Sequence, residues 1–371
     1  MAFSSIYLIL ALLTAIVTSF VAMPAIIKIA TLKELNDEPD QERKLHGKII
    51  PTLGGIGIFG SFLISFSIWG NAASLESYPF FVASLFMLFL IGVKDDILVL
   101  SPIKKLLVQI LASTEIVVGG GIVITNLEGL FGIYQIPWLA GVLLTIALFV
   151  ILINSYNLID GIDGLAGGIG MIISGILGTW FLLSGFSTMA ILSFVLFGAL
   201  LGFLIFNFYP AKIFMGDTGA MVVGFIIAYM VVQFIVFNHA NPASAFYINN
   251  ATVLAIALLI IPVVDTLRVF TLRVIAGKNP LHADYNHLHH QFIKTGFLPS
   301  TASVTLWAGN IWVIVLAFYL NDLTNPNVLF IVVLAAGFLI FPVSKFTHSL
   351  FQEKLGDTYS QIISKFKTGR I

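Results

Sequence analysis

Residues 142–183 read "VLLTIALFVILINSYNLIDGIDGLAGGIGMIISGILGTWFLL". Two apolar runs flank a polar knot, "NSYNLIDGIDGLAGG" (154–168), which carries Asn154, Asn157, Asp160 and Asp163. The apolar segments these runs belong to, 137–154 and 165–184, have the ~20-residue length a helix needs to cross a bilayer core. The stretch therefore predicts two membrane helices joined by a polar turn at one bilayer face. Glycine-rich pieces such as "GLAGGIG" follow no strand and carry no Walker lysine, so they read as close helix contacts, as does "GGIGIFG" (54–60).

The same alternation continues along the chain. Its 371 residues are 58% hydrophobic and 10% charged, with mean hydropathy +1.03, whereas soluble proteins carry about 25% charged residues. Polar breaks divide it into apolar segments at 5–29, 51–70, 78–94, 104–124, 137–154, 165–184, 187–206, 219–237, 250–271, 301–320 and 328–345. The expected fold is an all-α polytopic bundle of about eleven transmembrane helices. Residues 1–345 form one membrane domain in this reading, and 346–371 a tail. The absence of cysteine excludes disulfides and thiolate metal sites. The first segment lacks a basic leader and a small-residue cleavage site, so it reads as a retained span.

Basic residues set the orientation. All 18 Lys and Arg fall in alternate loops, the tail and the span ends beside them. The intervening segments "NAASLES", "TNLEGLFGIYQI", "SGFS", "NHANPASAFYINN" and "NDLTNPN" hold none. Because cytoplasmic loops are enriched in Lys and Arg, the N-terminus is expected outside, in the periplasm, and the C-terminus in the cytoplasm.

Four polar clusters then share the cytoplasmic face: "GVKDDILVLSPIKKLLVQ" (92–109), the 154–168 knot, "NFYPAKIFMGDTGA" (207–220) and "GKNPLHADYNHLHHQF" (277–292). The first loop adds "RKLHGKIIPTLGG" (43–55), with Lys48. Asn157, Asp160 and Asp163 are spaced at i, i+3, i+6 and are expected on one helix face. Asp95 and Asp96 are adjacent and point about 100° apart on a helix. Asp217 lies between glycines that allow close backbone approach. Carboxylates with an amide oxygen suit Mg²⁺, commonly shared with substrate phosphates. His282, His287, His289 and His290, with Arg268, Arg273 and Lys278 upstream, suit an anion better than a closed zinc site. Lys104 and Lys105 either snorkel to headgroups or face a phosphate. An ion-coupled transporter is the alternative of a different class. It would place acids at mid-membrane, which only Glu115 and Asp265 suggest.

The order "DD…LSPIKKLLVQ", "NLIDGIDGLAGG", "NFYPAKIFMGDTGA", "HLHH" resembles the polyprenyl-phosphate N-acetylhexosamine-1-phosphate transferases over roughly residues 1–345. The resemblance implies an enzyme of a bacterial inner membrane with its active site facing the cytoplasm. It moves a sugar-1-phosphate from a UDP-sugar, most simply UDP-GlcNAc, to undecaprenyl phosphate and releases UMP, starting a cell-envelope polysaccharide. Mg²⁺ or Mn²⁺ is the implied cofactor, and the implied partners are both substrates and the membrane, with a homodimer as an option and no nucleic acid. By motif, Asp95, Asp96, Asp160, Asp163, Asp217, His287, His289 and His290 carry catalysis. Lys48, Lys105, Asn154, Asn157, Asp163, Asn207, Phe214 and Arg273 bind substrate; Asp217 and Asn157 hold metal. Phe214, which alone would read as core packing, matches the aromatic that stacks on uracil, and Asp163 the acid that contacts uridine. Leu288 interrupts the His-His-His run of the pentapeptide-transferring relatives, which favours the sugar-only branch. "GKNPLHADYN" differs from the stretch expected of enterobacterial members, so the sugar stays open.

Overall fold

The computed structural model describes residues 5–33, 50–275, 277, 291–293 and 295–340. Among them the fold is helical, with one isolated antiparallel bridge between Asn126 and Gln135. The helices are α1 (Ser5–Leu32), α2 (Gly54–Trp69), α3 (Tyr78–Leu98), α4 (Pro102–Thr114), α5 (Trp138–Ile159), α6 (Leu165–Leu183), α7 (Ser187–Asn207), α8 (Gly216–Ala240), α9 (Ala251–Leu258), α10 (Ile260–Ile275), α11 (Pro299–Leu320) and α12 (Pro326–Ile340). Proline stands in the first turn of α3, α4 and α11, where no N–H is needed and its fixed φ suits a helix start.

Among the described residues, each apolar segment expected from sequence contains a helix or a helix pair. Among the described residues, six helices are long and apolar enough to cross a membrane, and a seventh span results if α9 and α10 are counted together. The chain is thus a multi-pass membrane protein. The expected straight span at 250–271 is instead broken, with α9 and α10 meeting at a 77° bend. Pro262 explains the break: it lacks an N–H, and its ring would strike the carbonyl four residues back, Leu258, where α9 ends. The expected 104–124 helix is also shorter. After α4 it widens into one π-helical turn at Glu115–Gly119 and then leaves helical geometry.

α8 is the centre of the bundle, 89% buried along its apolar stretch against 22% for α1. It packs most closely on α5 and α3 and then on α2 and α6, while α1 packs on α7 and α2. Glycines allow the close approaches. A side chain at Gly55 would run into the Gly219 backbone, and one at Gly168 into the Trp307 ring. Tyr156, fully buried, donates a hydrogen bond to the Ala166 carbonyl and ties α5 to α6. At the end of the bundle away from the polar clusters, Glu128 accepts from Asn238 Nδ2 (3.2 Å) and from the Thr252 backbone N–H (2.9 Å).

This arrangement carries the C-termini of α3 and α5 and the N-termini of α4 and α8 to one end of the bundle. The polar clusters at 92–109, 154–168 and 207–220 lie there.

Candidate active site

The site is built from helix ends. Lys105, in the first turns of α4, donates to Asp95 Oδ2 at 2.6 Å and stands 3.5 Å from Asp217 Oδ2. The Leu100 backbone N–H holds the other Asp95 oxygen at 2.6 Å. Asn157, near the end of α5, donates through Nδ2 to Asp217 Oδ1 at 2.8 Å. Asp95, Lys105, Asn157 and Asp217 therefore meet around one point although they span more than 120 positions of the chain. Lys104, beside Lys105, is exposed.

Asp96 goes elsewhere. Its Oδ1 accepts the Asp217 backbone N–H at 2.7 Å, and its Oδ2 accepts the Thr218 N–H at 3.1 Å and the Thr218 hydroxyl at 2.5 Å. The expected divergence of the adjacent pair is thus realised, with Asp95 on a lysine and Asp96 on a backbone.

Asn157, Asp160 and Asp163 do not share a helix face, contrary to expectation. α5 ends at Ile159, Asp160 is its cap residue with ψ +49°, and Gly164 at φ +78° turns the chain into α6. Left-handed backbone of this kind is open to glycine at little cost. Asp160 stays beside the site. Loss of water, then the charges of Asp217 and Asp96, push its carboxyl up to about 7, while the Gly216 N–H pulls it back. Asp163 is buried instead against the 208–215 loop: its Oδ2 accepts the Ala211 N–H at 2.9 Å, and its backbone carbonyl accepts from the Ser303 hydroxyl at 2.7 Å. Asn207 completes this anchor, accepting the Gly164 N–H at 3.0 Å and donating to the Ile213 carbonyl at 2.9 Å.

The same loop presents Phe214. Its backbone pairs with the segment before α2: the Phe214 N–H donates to Pro51 at 2.8 Å, and its carbonyl accepts from Gly54 at 3.0 Å. Gly55 donates to the Met215 carbonyl at 2.8 Å. The main chain of half-buried Phe214 is thus fixed three residues before Asp217.

Asn154 lies one turn deeper and donates to Gln109 Oε1 at 2.6 Å, while Gln109 Nε2 reaches Met221 Sδ at 3.7 Å. Arg273 is buried on α10. Lys48, His287, His289 and His290 lie outside the described residues. Of the two acids that suggested a transporter, Glu115 is half-buried with the Ser84 hydroxyl 3.5 Å away, and Asp265 is buried in α10.

Reading the sequence assigned no role to Gln109 or Thr218. Gln109 follows Lys105 by four residues, one turn on the same helix face, which is the signal that could have found it. Thr218 has only its place after Asp217.

The donor set is one of hard oxygens. No cluster of three His, Asp or Glu poised for a metal occurs among the described residues. Mg²⁺ needs no such cluster, because it is bound through one or two carboxylates and substrate phosphates. Among the described residues, Asp95, Asp96, Asp160 and Asp217 gather near one cation, Lys105. That acidic excess fits a divalent cation arriving with a phosphate ligand.

Residues 78–235, which contain all of these groups, match glycosyl transferase family 4. The decaprenyl-phosphate N-acetylglucosaminephosphotransferase of Mycolicibacterium smegmatis is 31% identical over 75% of this chain and 73% of its own length. The chain belongs to this family. The undecaprenyl-phosphate alpha-N-acetylglucosaminyl 1-phosphate transferase of Yersinia pestis is 28% identical over 77% of this chain and 76% of its own. The corresponding Escherichia coli K12 protein is 27% identical over 75% and 74%. This family 4 transferase is accordingly an enzyme that moves a sugar-1-phosphate, and its shared region spans α3 to α8, the helices whose ends converge on Asp217.

Proposed function

We propose that the chain transfers N-acetylglucosamine 1-phosphate from a UDP-sugar to a polyprenyl phosphate, releasing UMP and starting a cell-envelope polysaccharide. The observation that carries this reading is the meeting of Asp95, Lys105, Asn157 and Asp217 at one end of the bundle. The split of basic residues supports eleven crossings with that end in the cytoplasm, in a bacterial plasma membrane. There a water-soluble nucleotide sugar and a membrane-held phosphate can meet, and residues 1–345 act as one catalytic unit.

Phosphoryl transfer asks a protein mainly for positioning and charge neutralisation. An oxygen of the lipid phosphate attacks the sugar-bearing phosphorus of the donor. The bond from that phosphorus to the UMP oxygen breaks, and UMP leaves with the electron pair. The attacking phosphate is already ionised at pH 7, so Asp95, fixed by Leu100 and Lys105, is asked for position more than for proton removal. Lys105 lowers the local negative charge as the three phosphate groups approach. Phe214 offers a ring for the base, beside the loop that Asp163 and Asn207 hold. Asp217 and Asn157 would hold Mg²⁺ or Mn²⁺, which supplies charge neutralisation to the donor diphosphate.

The test is purified protein in detergent with undecaprenyl phosphate, Mg²⁺ and a panel of UDP-sugars, following UMP. UMP release should need both the lipid phosphate and the metal, and Asp217→Ala should abolish it. Failure of every UDP-sugar to give UMP with correctly folded wild-type protein overturns the proposal.

A further inference from the structure

Helix α8 begins at Gly216, and its first N–H groups have no partner within the helix. Such groups are ordinarily satisfied by a Ser, Thr, Asp or Asn at the N-cap. Here the N-cap is Met215, whose side chain makes no capping hydrogen bond. The cap comes from another helix. Asp96, on α3, takes the Asp217 N–H on one carboxylate oxygen, and the Thr218 N–H and hydroxyl on the other. Three of the roughly four acceptor positions of a carboxylate are thereby used on one helix start. A negative charge at that place is also favoured by the helix dipole.

The surroundings are shaped for this contact. Gly216 sits at φ +71°, and a Cβ there would lie 2.8 and 2.9 Å from the two Asp96 oxygens. Gly92, one turn before Asp96, lets α3 come against the Thr218 backbone, where a Cβ would be 2.5 Å from Thr218 Cα. The backbone N–H that Asp96 grips belongs to Asp217, the residue whose carboxylate faces Lys105 and Asn157.

We propose that Asp96 is a positioning residue: it caps α8 from α3 and so aims the Asp217 carboxylate, without touching nucleotide, lipid phosphate or metal itself. The adjacent acids of "DD" then have separate tasks, Asp95 in the reaction space and Asp96 behind it. This inference rests on the transferase reading for the role of Asp217, but the coupling of Asp96 to α8 is measurable without turnover.

The experiment is a double-mutant cycle on the full-length protein in detergent with Asp96→Asn, Thr218→Val and the double variant. Mn²⁺ binding in the presence of UDP is followed by electron paramagnetic resonance, and steady-state kinetics are followed by UMP release. Asp96→Asn should weaken Mn²⁺ binding and lower kcat by about 10–100-fold, the usual cost of losing a group that orients a metal ligand. KM for both substrates should stay within about twofold. Thr218→Val should give the same signature more weakly, and the double variant should be no worse than Asp96→Asn, because both act through one cap. The proposal is overturned if the two losses multiply. It is equally overturned if Asp96→Asn raises KM for a substrate while Mn²⁺ binding is unchanged, since that marks direct contact. Should Asp96→Asn fail to fold, Thr218→Val decides alone: weakened Mn²⁺ binding at wild-type KM supports the cap, and unchanged Mn²⁺ binding overturns it. A wild-type protein that yields no UMP sinks the transferase reading, and the binding cycle still decides this one.

Discussion

Replacing Gly216 by Ala separates a backbone requirement at the site from general packing. Gly216 has φ +71°, a region that costs a residue with a Cβ roughly 1–2 kcal/mol. The added methyl would also run into the Thr52 carbonyl and stand 2.8 and 2.9 Å from the Asp96 oxygens. The first neighbour is backbone, held by the Pro51–Phe214 and Gly55–Met215 hydrogen bonds, and cannot swing aside as a flexible side chain can. Overpacking of this kind costs ~1–3 kcal/mol, so the sum is about 2–5 kcal/mol. The control is Gly60→Ala in α2, where nothing lies within 4 Å of the new Cβ. There the helix should be unchanged or steadier by up to ~1 kcal/mol. Thermal unfolding in detergent should show Gly216→Ala several degrees below wild type and Gly60→Ala at or above it. The surviving Gly216→Ala protein should release UMP about 10–100-fold more slowly, because the displaced backbone carries Asp217. The reasoning is refuted if Gly216→Ala melts and turns over like wild type, or if the two alanines lower the melting point equally.

Three further outcomes follow from the geometry. Lys105→Met should lower kcat/KM by about 100-fold or more, since it leaves Asp95 and Asp217 without their shared cation, whereas the exposed Lys104→Met should stay within about twofold; equal effects in the same UMP assay would contradict the arrangement. Phe214→Ala should raise KM for the UDP-sugar roughly 5–150-fold, the worth of one base stack at ~1–3 kcal/mol, with a smaller change in kcat; the backbone pairing of Phe214 with Pro51 and Gly54 survives the change, so an effect confined to stability would count against stacking. Burial raises the Glu128 carboxyl above its usual value of 4.5, so its protonated form is favoured in the fold. Its contribution to stability is then full below pH 4.5 and is lost as pH rises through the raised value. Glu128→Gln should flatten that part of the melting-temperature profile against pH, and an unchanged slope would refute it.

What could be read from the sequence was what depends on local spacing. Apolar run lengths placed the helices, whereas Lys105 stood out from Lys104 only through the family resemblance. The lost features are those in which distant segments decide. The i, i+3 spacing of Asn157, Asp160 and Asp163 implied a shared face, but the helix stops before Asp160, and Asp163 turns to Ala211. Asp96 is separated by 121 positions from the N–H it caps, and Met215 at the cap gives no local sign that a partner is needed. The break at Leu259 was signalled by Pro262 alone, which a long apolar segment masks because membrane helices tolerate proline.

On the proposed transferase reading, the charge balance among the described residues favours a donor that brings its own cation. Among the described residues Asp95 and Asp217 pair with Lys105, and Asp96 and Asp160 stand close behind them. Asp160, pushed up to about 7 by lost water and by the charges of Asp217 and Asp96, reflects the mutual repulsion of these acids. On that reading a diphosphate and a lipid phosphate would add further negative charge at the same point. Without a compensating cation their approach would be opposed at every step, and Coulomb repulsion is strongest where water is thinnest. A donor that enters with a divalent cation reverses that sign and turns the acidic excess into affinity. A site with matched charges would bind a bare phosphate more readily and lose that dependence. On that reading the surplus of carboxylates near Asp217 would let a diphosphate bound to its cation be distinguished from a phosphate without one.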